Sequence, residues 1–431
     1  MQNGYDKRYD VIVVGTGPGG GTVARELTKA GKRVLMLERG PHPEIKGSFW
    51  QYLRYCALPP HSMLITNGGI GIVRGLLTGG SSVFYYGSCF KVPVDMLKRY
   101  GVDVTAEMEE TRKDLPIGPL KQEMMTPMAD RIMASAQELG YHWNKLDKFM
   151  YQDRWRPGMK FGYYGDPHRV KWSSRMYVEE AVEKGAVLVN DAKVEKVIIE
   201  DNRATGVEFV KKGRRQRAVA SRVIVSAGGI GSPVILRNSG IQGVGMDFFY
   251  DPLVTACGTV ADLKAGDEIP MSAGVHLQDE GVVMTDMSIP PPLDALFSLS
   301  ALRVHKVFSQ NRMLRIMIKI KDGLGGRITD GEQVRKGLTR SDKQKLRNGY
   351  ERAKKILENA GAKGVFRTWV LAAHPGGSVK LGSILDSNLK TNRVDALYVC
   401  DCSVIPEAWG LPPTFTLICL GKRLAKHLMR E

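Results

Sequence analysis

Three glycines and a carboxylate near the start of the chain carry the clearest chemistry. In Gly15-Thr16-Gly17-Pro18-Gly19-Gly20, the spacing of Gly15, Gly17 and Gly20 suits a turn that closes around a pyrophosphate. Gly15 permits the tight turn, Gly17 lets the backbone approach the phosphates, and Gly20 allows close strand–helix packing; the helix that follows aims free N–H groups and its positive end at the anion. Glu38, 18 residues beyond Gly20, stands where a carboxylate accepts hydrogen bonds from ribose hydroxyls and repels a 2′-phosphate. The expected ligand is therefore FAD or NAD rather than NADP.

The elements needed to position these residues are legible around them. Tyr9-Asp10-Val11-Ile12-Val13-Val14 reads as a buried strand entering the turn, and Arg33-Val34-Leu35-Met36-Leu37 as the second strand, with Glu38 at its end. Residues 41–72, rich in Gly, Pro, His and aromatics, read as a long irregular connection. In Arg74–Gly87, the pair Gly79-Gly80 followed by Ser81-Ser82 lets main chain pass close to a flat ligand. Residues 103–140 look helical and polar, with an interruption at Leu115-Pro116-Ile117-Gly118-Pro119. A second apolar, β-branched set runs from Ala186 to Ile199. Arg222–Val225 then leads through Ser226-Ala227-Gly228-Gly229 to Ser232-Pro233, again strand, glycine turn and helix start.

The later half has a different texture. Leu314-Arg315-Ile316-Met317-Ile318-Lys319-Ile320-Lys321 alternates and predicts a strand with one buried and one wet face. Leu293–Val307 is an apolar stretch punctuated by Arg303 and Lys306, suited to a core-facing helix or to a surface helix over a hydrophobic pocket or membrane. Ser341–Ala360 predicts a helix with an N-cap at Ser341-Asp342 and a stop at Gly361.

Composition narrows the class. The 431 residues, 43% of them hydrophobic, suffice for more than one core. The N-terminal residues hold no apolar signal core, and no run approaches the roughly 18 apolar residues of a membrane span. A cytoplasmic protein is expected. Six cysteines without a CxxC pair imply neither a zinc site nor a disulfide framework, so no metal is expected. The formal charge of +17 is concentrated locally: residues 301–350 hold thirteen Lys or Arg against four acids. Such a region is either a solvated basic face or a site for anionic lipid, an acidic partner or an acidic substrate. Nucleic acid is not an expected partner, because no recognised binding pattern accompanies the charge.

Two further segments complete a pattern: His374-Pro375-Gly376-Gly377-Ser378-Val379-Lys380-Leu381-Gly382, and Leu397-Tyr398-Val399-Cys400-Asp401-Cys402-Ser403-Val404-Ile405-Pro406, followed by a final helix from about Pro413 to Met429. Together with the glycine turn, the Gly79–Ser82 loop and the Val225–Pro233 segment, they resemble the glucose-methanol-choline (GMC) family of FAD-dependent oxidoreductases, in a short form. The resemblance implies an α/β fold: a Rossmann-type FAD-binding domain (residues 1–95, 186–252 and 370–431) with a discontinuous α+β substrate domain of antiparallel sheet and helices (96–185 and 253–369). It implies cofactor contacts from Gly15, Gly17, Gly20, Glu38 and Arg39, and from Gly79, Gly80, Ser81 and Ser82. Val194 would meet the adenine end through its backbone, Ala227 and Gly228 would come from the second signature, Asp401 would lie near the pyrophosphate or ribityl chain, and Pro412 and Thr414 would close the site. No histidine lies in Gly79–Phe84, so the FAD is expected to be non-covalent.

By the same resemblance, His374 is the catalytic base. An alcohol loses hydride readily only as it becomes alkoxide-like, and imidazole has a suitable pKa to take the hydroxyl proton while flavin N5 accepts the hydride. The chain departs from the family where a second catalytic His or Asn is usual, since Leu411 occupies that position in Trp409-Gly410-Leu411-Pro412-Pro413-Thr414. Leucine neither donates nor accepts a proton, so either His374 works alone, or Tyr85, Tyr86 or another polar group assists, or the reaction differs. The readings are an alcohol oxidoreductase with a small, hydrophobic substrate and a quinone, oxygen or redox protein as acceptor; a flavin-dependent reductase of an activated C=C or C=O bond; or a flavin electron-transfer subunit docked through the basic 301–350 region on a membrane or partner. The short length implies a trimmed substrate domain and a more open pocket.

Overall fold

A strand that must be buried on both faces needs unbroken apolar sequence, and Tyr9–Val14, Val34–Leu37 and the last third of Arg214–Val225 supply it. The structure, a computed structural model, describes residues 8–159, 164–264, 268–290, 292, 293, 295 and 310–431. These three strands form the centre of a seven-stranded sheet ordered Val187–Val189, Val34–Leu37, Tyr9–Val14, Arg214–Val225, Arg203–Lys211, Ala192–Glu200, with Leu397–Val399 pairing beside Arg214–Val225. The pairings of Tyr9–Val14 with both neighbours, and of Arg214–Val225 with Leu397–Val399, are parallel. Arg214–Val225 serves two purposes. Its polar, arginine-rich first half pairs antiparallel with Arg203–Lys211, while its apolar second half runs parallel to Tyr9–Val14.

Helix Pro18–Lys29 starts with proline at its first turn, where no N–H partner is lost. It packs against Ser174–Glu183 and the C-terminal helix Thr414–Arg430. Glycines let these elements touch. A Cβ on Gly19 would lie 2.0 Å from the carbonyl oxygen of Cys400, and one on Gly421 would lie 3.0 Å from that of Gly19. Arg25 locks the same helices together through Asp114 and Glu180, and Asp114 also takes Lys422 and the Tyr177 hydroxyl. These cations and hydroxyl hold the Asp114 carboxyl well below the usual carboxylate range against the opposing effect of burial.

The second sheet has nine strands, ordered Met63–Ile65, Gly71–Val73, Leu371–Ala372, Pro252–Thr259, Met313–Ile320, Val282–Asp286, Ala273–Leu277, Asn144–Lys145, with Lys363–Arg367 also paired to Pro252–Thr259. One face is covered by helices Pro127–Glu138 and Arg340–Asn359, which bury Ile132, Ala353, Ile356 and Leu357 against Leu314, Ile316, Ile318 and Ile320. The α/β class and the two-part architecture expected from the sequence are present.

Several local expectations are corrected. The sheets do not divide where the predicted domain boundaries fall. Met63–Ile65, Gly71–Val73 and Leu371–Ala372, placed above in the FAD-binding segments, hydrogen-bond into the second sheet. Helix Ser174–Glu183, placed above in the substrate segments, lies on Pro18–Lys29. The connection 41–72 is less irregular than its composition suggests, containing helix Phe49–Tyr52, a π-helical turn Leu53–Ala57 and those two short strands. Helix Arg340–Asn359 begins one turn-residue earlier than expected, because Thr339 and Asp342 form a capping box.

The largest correction concerns Met313–Ile320, which has no wet face: all eight residues are buried. Arg315 and Lys319 lie inside, as does Lys336, which pairs with Asp322 at 2.8 Å. The basic region 301–350 is thus partly internal, while Arg303, Lys306 and all of Leu293–Val307 except Leu293 and Ala295 lie outside the described residues. All six cysteines are buried and free. Among the described residues no helix is long and apolar enough to cross a membrane, and no cluster of three metal-ligating side chains occurs.

The contact at Gly19 gives a direct test of the packing. Gly19→Ala should lower stability by about 1–3 kcal/mol through overpacking against Cys400, read as a fall in the denaturant midpoint of the purified protein.

Candidate functional site

The C-terminal ends of Tyr9–Val14, Arg214–Val225 and Leu397–Val399 meet at one edge, and the glycine turn sits there. Gly15 has φ +95°, and a Cβ on it would lie 2.3 Å from the Ser226 carbonyl oxygen. Gly20 is as crowded, 2.3 Å from the Gly15 oxygen, whereas nothing lies within 4 Å of the Cβ position on Gly17. Gly17 is also the N-cap of Pro18–Lys29 and carries no side-chain cap, so free N–H groups of the first helical turn open on the cavity in front of it. Glu38 lines that cavity, but its carboxylate is already engaged. Oε2 accepts from Thr16 N at 3.0 Å and from the Thr16 hydroxyl, and Oε1 accepts from Gly40 N at 2.8 Å. Burial raises its pKa despite these donors.

Thr16, which sequence reasoning passed over, joins two motifs. Its hydroxyl oxygen accepts from Gly79 N at 3.0 Å, and a Cβ on Gly80 would stand 3.2 Å from Gly17 Cα. Gly79 and Gly80 have φ of +94° and +58°. Ser82 donates to the Gly79 carbonyl at 2.6 Å and accepts from Ser174 N, so Gly80, Ser81 and Ser82 form a fixed wall of the cavity while Gly79 shapes it from behind. Two buried lysines brace the continuation of this loop. Lys171 donates to the carbonyls of Val83 and Tyr85, and Lys148 donates to those of Tyr86 and Pro270 and to Ser88. Burial pushes their pKa values down to about 8 and about 7 respectively.

The remaining predicted contacts divide. Val194, Ala227, Gly228, Pro412 and Thr414 line the cavity, and helix Thr414–Arg430 presents its uncapped N-terminus there. Arg39 lines it too, ion-paired at 2.7 Å to Glu332, which also holds Arg74 at 2.6 Å. Asp401 does not line it. Its Oδ2 accepts from Gly228 N at 2.8 Å and from Ser232, and its Oδ1 from Ser403 N at 2.8 Å. Asp401 thus holds the Gly228 turn through its carboxylate, and its expected place near a pyrophosphate or ribityl chain is carried forward as a proposal. The cavity itself measures about 1160 Å³, above the roughly 300–1,000 Å³ of a single small-ligand site.

His374 stands at the other end, with φ +57°. Its Nδ1 lies 3.3 Å from Asp251 Oδ2 and 3.3 Å from Lys319 Nζ, and Lys319 and Asp251 are themselves 3.1 Å apart. Nε2 makes no hydrogen bond among the described residues, and the ring lines the cavity. Burial and the neighbouring Lys319 lower the His374 pKa, against an opposing pull from Asp251. Leu411 is buried in an apolar cluster with Tyr52, Phe84 and Met317. Tyr85, considered above as an assistant, donates its hydroxyl to the Trp172 carbonyl at 2.9 Å.

Two family models described as GMC oxidoreductase match residues 9–252 and 332–421. The chain belongs to the GMC oxidoreductases. An uncharacterized protein of Methanocaldococcus jannaschii is 27% identical over 98% of this chain and 100% of its own length. A long-chain-alcohol oxidase of Arabidopsis thaliana is 23% identical over 98% of this chain and 68% of its own length. Among solved structures, pyridoxine 4-oxidase from Mesorbium loti superposes with a TM-score of 0.76 at 16% identity, covering 98% of this chain and 100% of that one. A formate oxidase does so with a TM-score of 0.76 at 15% identity, covering 98% of each.

In this GMC oxidoreductase the donor set fits a dinucleotide. Two helix N-termini, an open Gly17 and a glycine–serine wall converge on a cavity larger than an alcohol requires. Sequence reasoning missed Asp251 and Lys319 because both lie in apolar or ordinary surroundings of the sequence, Lys319 inside a strand read as half-wet. Open space at Gly17 separates binding from folding. Gly17→Ala should leave the thermal midpoint of flavin-free protein nearly unchanged but weaken flavin binding about tenfold or more, the effect of a 1–3 kcal/mol steric conflict; isothermal titration with FAD reads this.

Proposed function

We propose that this GMC oxidoreductase oxidises an alcohol with a hydrophobic body, using FAD held without a covalent bond. The observation that carries the reading is His374: its Nδ1 is engaged by Asp251 and Lys319, and its ring lines a cavity shared with the apolar cluster of Phe84, Met271, Met287 and Met317 and with Leu253, which pairs with Lys319 across the sheet. FAD would be held by Gly15–Pro18, Glu38, Gly80–Ser82, Ala227–Gly228 and Pro412–Thr414. Bound there, it supplies a two-electron acceptor for hydride from the carbinol carbon.

The chain's own residues do the rest. His374 Nε2 accepts the hydroxyl proton, and the resulting charge is met by Asp251 behind the ring. Methionine and leucine side chains exclude water around the reacting carbon and adapt to an alkyl body. The Arabidopsis thaliana relative is named a long-chain-alcohol oxidase, and a further relative from Mycolicibacterium austroafricanum a 2-methyl-1,2-propanediol dehydrogenase, which supports an alcohol as donor.

Acid precipitation should release the flavin into a yellow supernatant, and flavin remaining with the pellet would overturn the non-covalent assignment. Anaerobic mixing with a panel of aliphatic, isoprenoid and sugar alcohols should bleach the flavin with hydrophobic members. His374→Ala should retain flavin yet slow its reduction by about 10²- to 10⁴-fold, the usual effect of a positioned base, as stopped-flow absorbance would measure. The base works unprotonated, and its pKa is lowered, so the rate should fall only as pH drops below the ordinary histidine value of 6.5.

A further inference from the structure

Asp251, Lys319 and His374 come from three separate elements. Asp251 ends the turn entering strand Pro252–Thr259, Lys319 lies in Met313–Ile320, and His374 follows Leu371–Ala372. Their polar atoms form a triangle with sides of 3.1, 3.3 and 3.3 Å. Asp251 and Lys319 are fully buried, and the second Asp251 oxygen, Oδ1, has no hydrogen-bond partner. Asp251 and His374 both hold left-handed backbone, with φ of +44° and +57°. Two non-glycine residues in that region, facing each other across buried charge, are a costly arrangement that the surrounding sheet must impose.

We propose that Asp251 and Lys319 are positioning residues for His374: Asp251 fixes the Nδ1–H tautomer so that Nε2 faces the cavity as the proton acceptor, and Lys319 neutralises Asp251 so that the ring stays uncharged until substrate arrives. The inference rests on the role given to His374 above. A carboxylate alone beside the ring would stabilise imidazolium and leave no acceptor at neutral pH. The ammonium group of Lys319 shares the same Oδ2 and opposes a second positive charge 3.3 Å away. Among the described residues, Lys319 and Asp251 are the charged groups that act on the His374 ring. Cys402, whose Sγ lies 3.6 Å from the His374 carbonyl oxygen, has its thiol pKa pushed well up and stays neutral. Asp322 is paired with Lys336 one step away, and His276, across from Lys319, has its own pKa lowered by burial and by that lysine. When the hydroxyl proton reaches Nε2, the positive charge is shared through Nδ1–H with Asp251.

The test reads His374 itself. With histidine ¹⁵N-labelled holoenzyme, the His374 signals, one set among eight histidines, are assigned by their absence in His374→Ala. Their shifts should report the Nδ1–H tautomer. Lys319→Met should raise the His374 pKa, and with it the acid limb of flavin reduction, by roughly one to two pH units, with rates recovering at high pH and alcohol affinity little changed. Lys319→Arg should restore the native profile in part. Asp251→Asn should move the pKa the opposite way and lower the plateau rate about 10²-fold or more, as the wrong tautomer competes. An Nε2–H tautomer in the native enzyme, or a pKa unmoved in both Asp251→Asn and Lys319→Met, would overturn the inference. Opposite NMR shifts in an enzyme that no alcohol reduces would uphold it and reject the alcohol reading instead.

Discussion

The structure depends on the close approach of three backbones that are far apart in sequence. Val14, Val225 and Val399 end neighbouring parallel strands, and the chain leaves each through a turn that needs the space a side chain would take. Gly15 faces Ser226, Gly19 faces Cys400, and Gly229 would put a Cβ 1.8 Å from the Pro375 carbonyl oxygen. Parallel pairing sends every strand's C-terminal end to one edge, so the helix N-termini that follow converge there. The last contact matters most for chemistry, because it ties the His374-Pro375 segment to the second glycine turn. The glycine turns and the segment carrying His374, the proposed base, are held in one frame by main-chain contacts.

Within that frame, charge is used where water is scarce. Isolated buried charges are disfavoured, and several here have a counterpart: Lys319 with Asp251, Lys336 with Asp322, Lys148 near Asp286. Replacing such pairs by apolar side chains of similar volume is often neutral or stabilising, so folding stability alone does not explain them. Lys148 and Lys171 hold carbonyl groups of the Val83–Tyr86 loop in place, and Asp322 caps the backbone N–H groups of Tyr250 and Asp251. The buried ions therefore shape the backbone around the cavity, where small displacements of donor groups carry large catalytic penalties.

Legibility followed physical type. The cradle was readable because pyrophosphate recognition is a backbone property, and only glycine spacing permits it; the structure brings Gly15, Gly17, Gly80, Ala227, Gly228 and Thr414 to one cavity. Elements with strong apolar periodicity were readable for a similar reason. Met313–Ile320 misled because alternation of Arg315, Met317 and Lys319 with isoleucines is the pattern of a strand facing water, and nothing local reveals that the wet face meets a cavity and its buried acids. Asp401 has a bracing role that no local pattern announces, since its carboxylate accepts from Gly228, Ser232 and Ser403 and so fixes the second glycine turn. Thr16 and Asp251 gave no signal at all, because their importance lies in partners 63 and 123 residues away.

Leu411 is the point at which these considerations meet. In the apolar cluster with Tyr52, Phe84 and Met317 it extends a hydrophobic wall, and a polar group there would need a hydrogen-bond partner among neighbours of which only Tyr52 carries a hydroxyl. The wall in turn restricts how a substrate can bind. With Leu253, Met271, Met287 and Met317 lining the same cavity as His374 and Lys319, the proposed alcohol would find hydrogen-bonding capacity for its hydroxyl at those polar side chains, while an alkyl body would gain by burial elsewhere at about 25 cal/mol per Å² of apolar surface. On the proposed alcohol reading, leucine in place of a second polar residue removes a hydrogen bond to the reacting group but strengthens the discrimination between the two ends of the substrate. On that reading, orientation by contrast, a few polar groups set against apolar side chains, takes over part of what a second donor would do, on condition that His374 keeps its protonation state.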